Sequence, residues 1–281
     1  MKIKHFSQGI IWLTGILLIA VMLFPFLYTF AGSFMSSVDL RHYYFSGEEI
    51  RWLWLVPDRF TLSQYYAALI GNTDYTRAFL NSVGFTFVST AVAILIAVPA
   101  AYAFAFCKIP LKRVWLGIYL LLMLLPYQAI EMPHFFMLRD LGLLGADISV
   151  VLTNVFDTFD VVLLTLLFAT VSESVMEAAA LDGAGLWQTL IHVVLPQMKH
   201  GIFTVMVLKF INVWNLTEQP ILFLESTTQY PLSVMLPELN GTFPANAFAF
   251  SIVFVLPPAL LYLCFRDSLE STVESGRMKY Q

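Results

Sequence analysis

Residues 79–106 read FLNSVGFTFVSTAVAILIAVPAAYAFAF, and none of them carries a charge. A helix needs about 20 predominantly apolar residues to cross the hydrocarbon core of a bilayer, and this run exceeds that length. It stops at a basic edge made by Lys108, Pro110, Lys112 and Arg113. The stretch is predicted to be a membrane-spanning helix that ends on a cationic face.

The same reading applies on both sides of it. Further apolar runs cover about 9–33, 114–138, 148–171, 202–224 and 245–265. The composition agrees: of 281 residues, 59% are hydrophobic and only 12% charged, about half the charged share usual in soluble domains. Such a chain is neither disordered, nor an ordinary soluble enzyme, nor a nucleic-acid binder with a basic face. The expectation is an all-α, polytopic membrane protein with six transmembrane helices, forming one membrane domain over 1–281. There is no internal repeat and no low-complexity tract.

The first run follows Lys2, Lys4 and His5, as in a signal peptide. It is too long for a signal peptide's apolar core and has no A-x-A site after it, so it reads as an uncleaved span. Residues 34–76 mix charges (Asp39, Arg41, Glu48, Glu49, Arg51, Asp58, Arg59) with Tyr43, Tyr44, Trp52, Trp54, Tyr65 and Tyr66. That is the signature of a segment at headgroup depth on the outer side. Thr61 and Gln64 have capping-box spacing, which predicts a short surface helix from Leu62. Pro126 and Pro133 predict a kinked third span. Cys107 and Cys264 form no CxxC and read as small buried hydrophobes.

Basic residues orient the chain. With both termini inside, the inner segments hold Lys2, Lys4, Lys108, Lys112, Arg113, Lys199, Lys209, Arg266, Arg277 and Lys279, and the outer ones Arg41, Arg51, Arg59, Arg77 and Arg139. No Lys or Arg lies between Phe210 and Phe265. The polar stretch 172–200 is therefore expected on the cytoplasmic side.

That stretch reads SESVMEAAALDGAGLWQTLIHVVLPQMKH. Ser174 and Glu177 have capping-box spacing and predict a helix from about Val175. Three alanines favour helix and leave a low surface. Gly183 and Gly185 predict a turn. Leu186, Trp187, Leu190 and Ile191 predict a second short amphipathic stretch, with Pro196 stopping it before the fifth span. By spacing alone this is either an ordinary connector or a helix–turn–helix shaped to dock into a groove on a soluble partner.

The residues themselves narrow the choice. Glu177-Ala178-Ala179, then Asp182-Gly183-Ala184, then Leu195-Pro196 resembles the EAA motif of ABC-importer permeases. Val193 stands at the motif's isoleucine, and His200 where a second proline is common. Asn81-Ser82, the stretch Ala101-Tyr102-Ala103-Phe104-Ala105, Pro126, Trp214-Asn215 and the tail Gly276-Arg277-Met278-Lys279 resemble the carbohydrate-uptake, maltose-type branch, with Arg277 atypical. The resemblance covers about 75–281.

It implies a type I importer permease fold in a bacterial cytoplasmic (inner) membrane. It also implies a second permease, a dimer of cytoplasmic ATPases using ATP and Mg, an external solute-binding protein, and a carbohydrate substrate moved by alternating access. Nucleic acid is not among the expected partners, whereas membrane lipid is. The loop 174–196 would couple to the ATPase through Glu177, Ala178, Ala179, Asp182, Gly183, Ala184, Leu195 and Pro196. Independently, the chain has no G-x-x-x-x-G-K-[ST] and no Gly-Lys pair, so it has no phosphate-binding loop of its own. It is expected to bind no cofactor and catalyse no covalent chemistry.

Polar residues inside spans are costly and mark paths or interhelical bonds. Asn154, Asp157 and Thr158 have one-face spacing in span four. Gln128, Glu131 and His134 have it in span three, as do Asn212, Asn215 and Glu218 in span five. With Trp214, the set Asn154, Asp157, Thr158, Asn212 and Asn215 is a candidate translocation path for a hydroxyl-rich solute; interhelical bonding and aromatic packing are the alternatives. Lys209 is expected to snorkel to the cytoplasmic surface. The tail beyond Arg266 reads as solvated. Competing functions are an ABC importer for another solute and an ion-coupled carrier using Asp157 and Asp160.

Overall fold

The computed structural model describes residues 2–40, 56–57 and 59–278. Most of the interfacial charges and aromatics expected over 34–76 fall on 41–55 and 58 and lie outside the described residues, as does Lys279 of the tail. Among the described residues the chain is helical throughout. In order, the helices are α1 (Lys2–Gly32), α2 (Ser37–Leu40), α3 (Ser63–Tyr66), α4 (Thr73–Phe106), α5 (Lys112–Met123), α6 (Tyr127–Asp140) and α7 (Asp147–Val155). They continue with α8 (Thr158–Phe168), α9 (Glu173–Leu181), α10 (Leu186–Thr189), α11 (Leu195–Trp214), α12 (Glu218–Phe223), α13 (Leu232–Thr242) and α14 (Ala247–Met278). Helices satisfy their own backbone groups, which is what a bilayer demands.

Five stretches are long and apolar enough to span: Trp12–Gly32, Thr73–Phe106, Asp147–Phe168, Leu186–Trp214 and Pro244–Glu270. The expected third span is a bent pair, Lys112–Met123 and Tyr127–Asp140, turned by 100°. The bend falls at Pro126, which precedes α6 with φ −62° and ψ 137°. Proline also pushes the residue before it out of the helical region, so 114–138 cannot run straight. Large apolar side chains such as Leu121, Leu166 and Leu263 are exposed, as expected of a chain whose surroundings are lipid.

Two expected boundaries are corrected. The fifth span begins at Leu186, not near 202, and ends at Trp214, not near 224. Pro196 does not stop it, although it lies inside this continuous helix, at the second residue of α11. A π-type turn over Leu190–Val194 joins α10 to α11. Its carbonyls reach donors one residue further on, which eases passage of the proline. Cys264 is exposed, not buried, and Cys107 is partly exposed.

The chain divides into two compact units. The first comprises 1–77 and 235–256. Its centre is Gln64, fully buried, whose amide donates to the carbonyls of Gly32 (2.8 Å) and Met35 (2.7 Å). The expected capping box of Thr61 and Gln64 does not form. The helix begins instead at Ser63, with Thr61 Oγ1 accepting from the Ser63 N–H at 3.2 Å. Nearby, Gly32 lies so close to Phe248 that a Cβ would come within 2.9 Å of its ring. Tyr75 stacks on Phe250 at 4.3 Å and donates its hydroxyl to the Phe250 carbonyl at 2.8 Å.

The second unit comprises 78–234 and 257–281. There α8 packs against α5 and α11, and α12 against α6 and α7. A core cluster joins α4 (Ala97, Ala101, Tyr102), α8 (Val161, Leu164, Phe168), the π-type turn (Leu190, Val194) and α11 (Val205).

Candidate functional site

The polar loop folds into two short arms within the second unit. α9 starts at Glu173, two residues before the expected Val175. The expected capping box is absent: Ser172 occupies the cap without a side-chain cap bond, and the Ser172 and Ser174 hydroxyls bond each other at 3.2 Å. The reason is register. With the helix starting at Glu173, Ser174 is already inside it, where its side chain cannot reach the third amide of the turn.

The end of α9 is a Schellman motif. The Gly183 N–H donates to the Ala180 carbonyl (3.1 Å) and the Ala184 N–H to that of Ala179 (3.0 Å). Gly183 has φ +74°, a conformation that L side chains disfavour. An added Cβ there would meet nothing within 4 Å, so glycine is needed for the backbone and not for space. Gln188 Oε1 then accepts from the Gly185 N–H at 2.9 Å, starting α10.

Glu177, Ala178, Asp182 and Gly183 are exposed, Ala184 is half-buried, and Ala179 is buried. Leu195 is half-buried and Pro196 exposed, both in the first turn of α11. The arms also present Leu181, Leu186 and Trp187, which are 89%, 66% and 67% exposed. Leu190 and Val194 point the other way, into the core cluster, and Met176 packs on it. One side of the loop is anchored and the other offers apolar surface beside an acidic edge. The exposure of Leu181 is a feature that sequence reasoning missed; its place one residue before the helix C-cap was the available signal.

Deeper in the same unit the polar residues are arranged differently from the expectation. Asn154, Asp157 and Thr158 do not share a helical face, because the helix breaks at Phe156–Asp157. Asp157 leaves the helix to cap α8, its Oδ1 accepting from the Phe159 N–H at 2.9 Å. Short acceptors prefer that role to a helix interior. Thr158 is the first residue of α8. The Asn154 amide donates to the Val150 carbonyl (2.8 Å) and to Gln219 Oε1.

Asn212, Asn215 and Glu218 are not on one helix either. α11 ends at Trp214, Asn215 caps it by donating to the Ile211 carbonyl (2.8 Å), and Glu218 begins α12. Asn212 and Asn215 are exposed. Trp214 is buried, stacked on Phe210 at 5.8 Å and edge-on to Phe79 at 5.9 Å. Of the α6 set, Gln128 has a partner: its amide donates to both carboxylate oxygens of Glu218 at 3.2 and 3.3 Å.

Lys209 does not snorkel. Its side chain is 2% exposed, and Nζ donates to Asp157 Oδ2 at 2.7 Å. Asp160 Oδ2 lies 3.3 Å from the same nitrogen without hydrogen-bond alignment. A buried ammonium with two carboxylates in reach has no drive to stretch toward water. The expectation failed because the acids lie 52 and 49 residues away along the chain, on another helix.

An all-helical membrane chain with an anchored, apolar-faced loop and one long helix rising from it is built like a transport permease. Residues 93–275 match the family described as binding-protein-dependent transport system inner membrane component, and the chain belongs to that family. It is 30% identical over 279 residues to a probable ABC transporter permease of Pyrococcus horikoshii, covering 95% of each chain. It is 25% identical to the diacetylchitobiose uptake system permease of Streptomyces coelicolor, covering 92% of this chain and 85% of that one. Its fold matches a crystal structure of a bacterial ABC transporter involved in the import of the acidic polysaccharide alginate. The TM-score is 0.79 at 24% identity, over 94% of this chain and 96% of that one.

Proposed function

We propose that this permease carries a sugar or oligosaccharide into the cytoplasm by alternating access. It would work with a second permease, a dimer of ATPases that bind ATP and Mg, and an external solute-binding protein. Both termini and the 174–196 loop face the cytoplasm. The observation that carries the reading is the loop's two-sidedness, with Leu181, Leu186 and Trp187 exposed while Leu190 and Val194 are rooted in the core. Glu177, Ala178, Ala179, Asp182, Gly183 and Ala184 form the docking arm and its turn, with Leu195 and Pro196 at the foot of the helix behind it. The carbohydrate assignment is supported by the relatives' transport roles.

Asn154, Asp157, Thr158, Asn212, Trp214 and Asn215 line or support the path. In the state described, Asn212 and Asn215 are the exposed members, whereas Asn154, Asp157 and Trp214 are engaged within the bundle. That engagement disfavours an ion-coupled carrier, since Lys209 already occupies Asp157 and Asp160.

Gly183→Asp tests the docking. A Cβ added there meets nothing within 4 Å, but the substitution places a side chain and a charge on the turn, with a backbone cost of about 1–2 kcal/mol. Membrane insertion and assembly with the second permease are expected to persist while solute-stimulated ATP hydrolysis is lost. Normal uptake in that variant would remove the loop from the mechanism.

A further inference from the structure

The corner where α4 turns into α5 carries cations that no acid of the chain answers. Lys108, Lys112 and Arg113 cluster there, and no Asp or Glu occurs between Arg77 and Ile130. Lys112 is engaged internally. Its Nζ donates to the Ala105 carbonyl at 3.0 Å, in the last turn of α4, where a cation satisfies the helix's open end. Lys108 and Arg113 are exposed and pair with no carboxylate among the described residues.

Leu111 shapes the corner. Its backbone is left-handed, with φ 56° and ψ 27°, a conformation that L side chains disfavour. Held there, Leu111 packs on little of the chain and stands 72% exposed, between Lys108 and Arg113 in sequence. α5 continues from it with two faces. Tyr119 turns inward, edge-on to Phe104 at 5.3 Å. Val114, Ile118 and Leu121, spaced by four and three, are exposed, with Trp115 beside them. An apolar helix face of this kind seeks hydrocarbon. From Leu121 down to Lys108 the order is apolar stripe, tryptophan, then cations, which follows the layers of a bilayer from hydrocarbon to headgroup.

We propose that the α4–α5 corner binds an anionic phospholipid, with the headgroup phosphate between Lys108 and Arg113 and the upper acyl chain along Leu111, Val114 and Trp115. Charge complementarity and continuity with the lipid-facing stripe both select this occupant. A soluble protein docking at the corner would meet the cations but not the stripe, whereas a phospholipid meets both. The corner lies on the docking-loop side of the unit, because Phe106 and Cys107 pack on the same cluster as Leu190, Val194 and Met176. The site requires only that the chain lie in a bilayer, so it stands apart from the ATP-driven reading.

The test uses the purified full-length permease in phosphatidylcholine vesicles with phosphatidylglycerol as the minor lipid. Bromine is placed on the acyl chains of one lipid or the other, and the difference between parent and Trp115→Phe isolates the quenching of Trp115. Each basic residue near an anionic surface is worth about fivefold in association, so phosphatidylglycerol should occupy the site about tenfold or more above its share at low salt. The double change Lys108→Gln, Arg113→Gln touches exposed side chains only and should bring quenching down to the phosphatidylcholine level. Lys108→Arg with Arg113→Lys should keep the preference. Equal quenching by the two lipids, or a preference that survives the double glutamine change, overturns the site. Quenching by neither lipid means that a second copy covers the stripe and also overturns it. So does loss of the preference when inorganic phosphate replaces chloride at constant ionic strength, since the corner would then take a soluble anion.

Discussion

Gln64 and Lys209 illustrate how single polar side chains hold an apolar bundle together. Gln64 closes two backbone carbonyls, those of Gly32 and Met35, from a fully buried position. Gln64→Leu keeps the volume and removes both donors. Each unsatisfied buried group costs about 1–3 kcal/mol, so the variant should unfold measurably earlier in detergent, with no direct effect on the docking loop. Lys209 has higher stakes. Lys209→Met leaves the half-buried Asp157 and the buried Asp160 without a cation, and breaking a buried pair costs about 3–5 kcal/mol. Thermal unfolding should register that loss, and the triple change Lys209→Met, Asp157→Asn, Asp160→Asn should recover most of it, because no charge then remains to desolvate.

At the scale of elements, the docking loop makes a separable prediction. Trp187 is two-thirds exposed on α10 and contributes little to the permease's own core. Buried aromatic anchors often dominate interfaces at 2 kcal/mol or more. Trp187→Ala should weaken ATPase association by about tenfold or more while the unfolding temperature stays unchanged; pull-down of the ATPase by the purified permease reads the first, and thermal unfolding of the permease in detergent reads the second. The elements also mark how far sequence reasoning reached. Uncharged runs such as 79–106 announce spans directly, because a bilayer admits little else. Gly183 announced its turn, since a positive φ is what glycine is selected to supply. Breaks inside apolar runs were not legible in the same way. Asp157 has helical spacing from Asn154, and only its preference for capping α8 ends the helix there. Pro196 reads as a stop, yet the π-type turn before it lets the helix run on past it. The pairing of Lys209 with Asp157 joins residues far apart in sequence; the available signal was the rule that ions in a membrane find partners.

Across the whole molecule, the exposed apolar surface and the lack of a phosphate-binding loop determine what the chain can do alone. The window within Trp12–Gly32 buries nothing inside the chain, so its partners are lipid or another membrane subunit, not its own core. On the function proposed above, the energy comes from a separate ATPase. An ion-coupled carrier would need an ionisable site free to load and unload, but Asp157 and Asp160 are held by Lys209. Uptake in energised vesicles containing the full transporter should therefore survive an uncoupler and collapse when ATP is depleted. The purified permease alone should hydrolyse no ATP, and hydrolysis should appear when the ATPase is added. Collapse with the uncoupler at constant ATP would mean that the acids in span four exchange ions after all, and the buried ion pair would then have to open during transport.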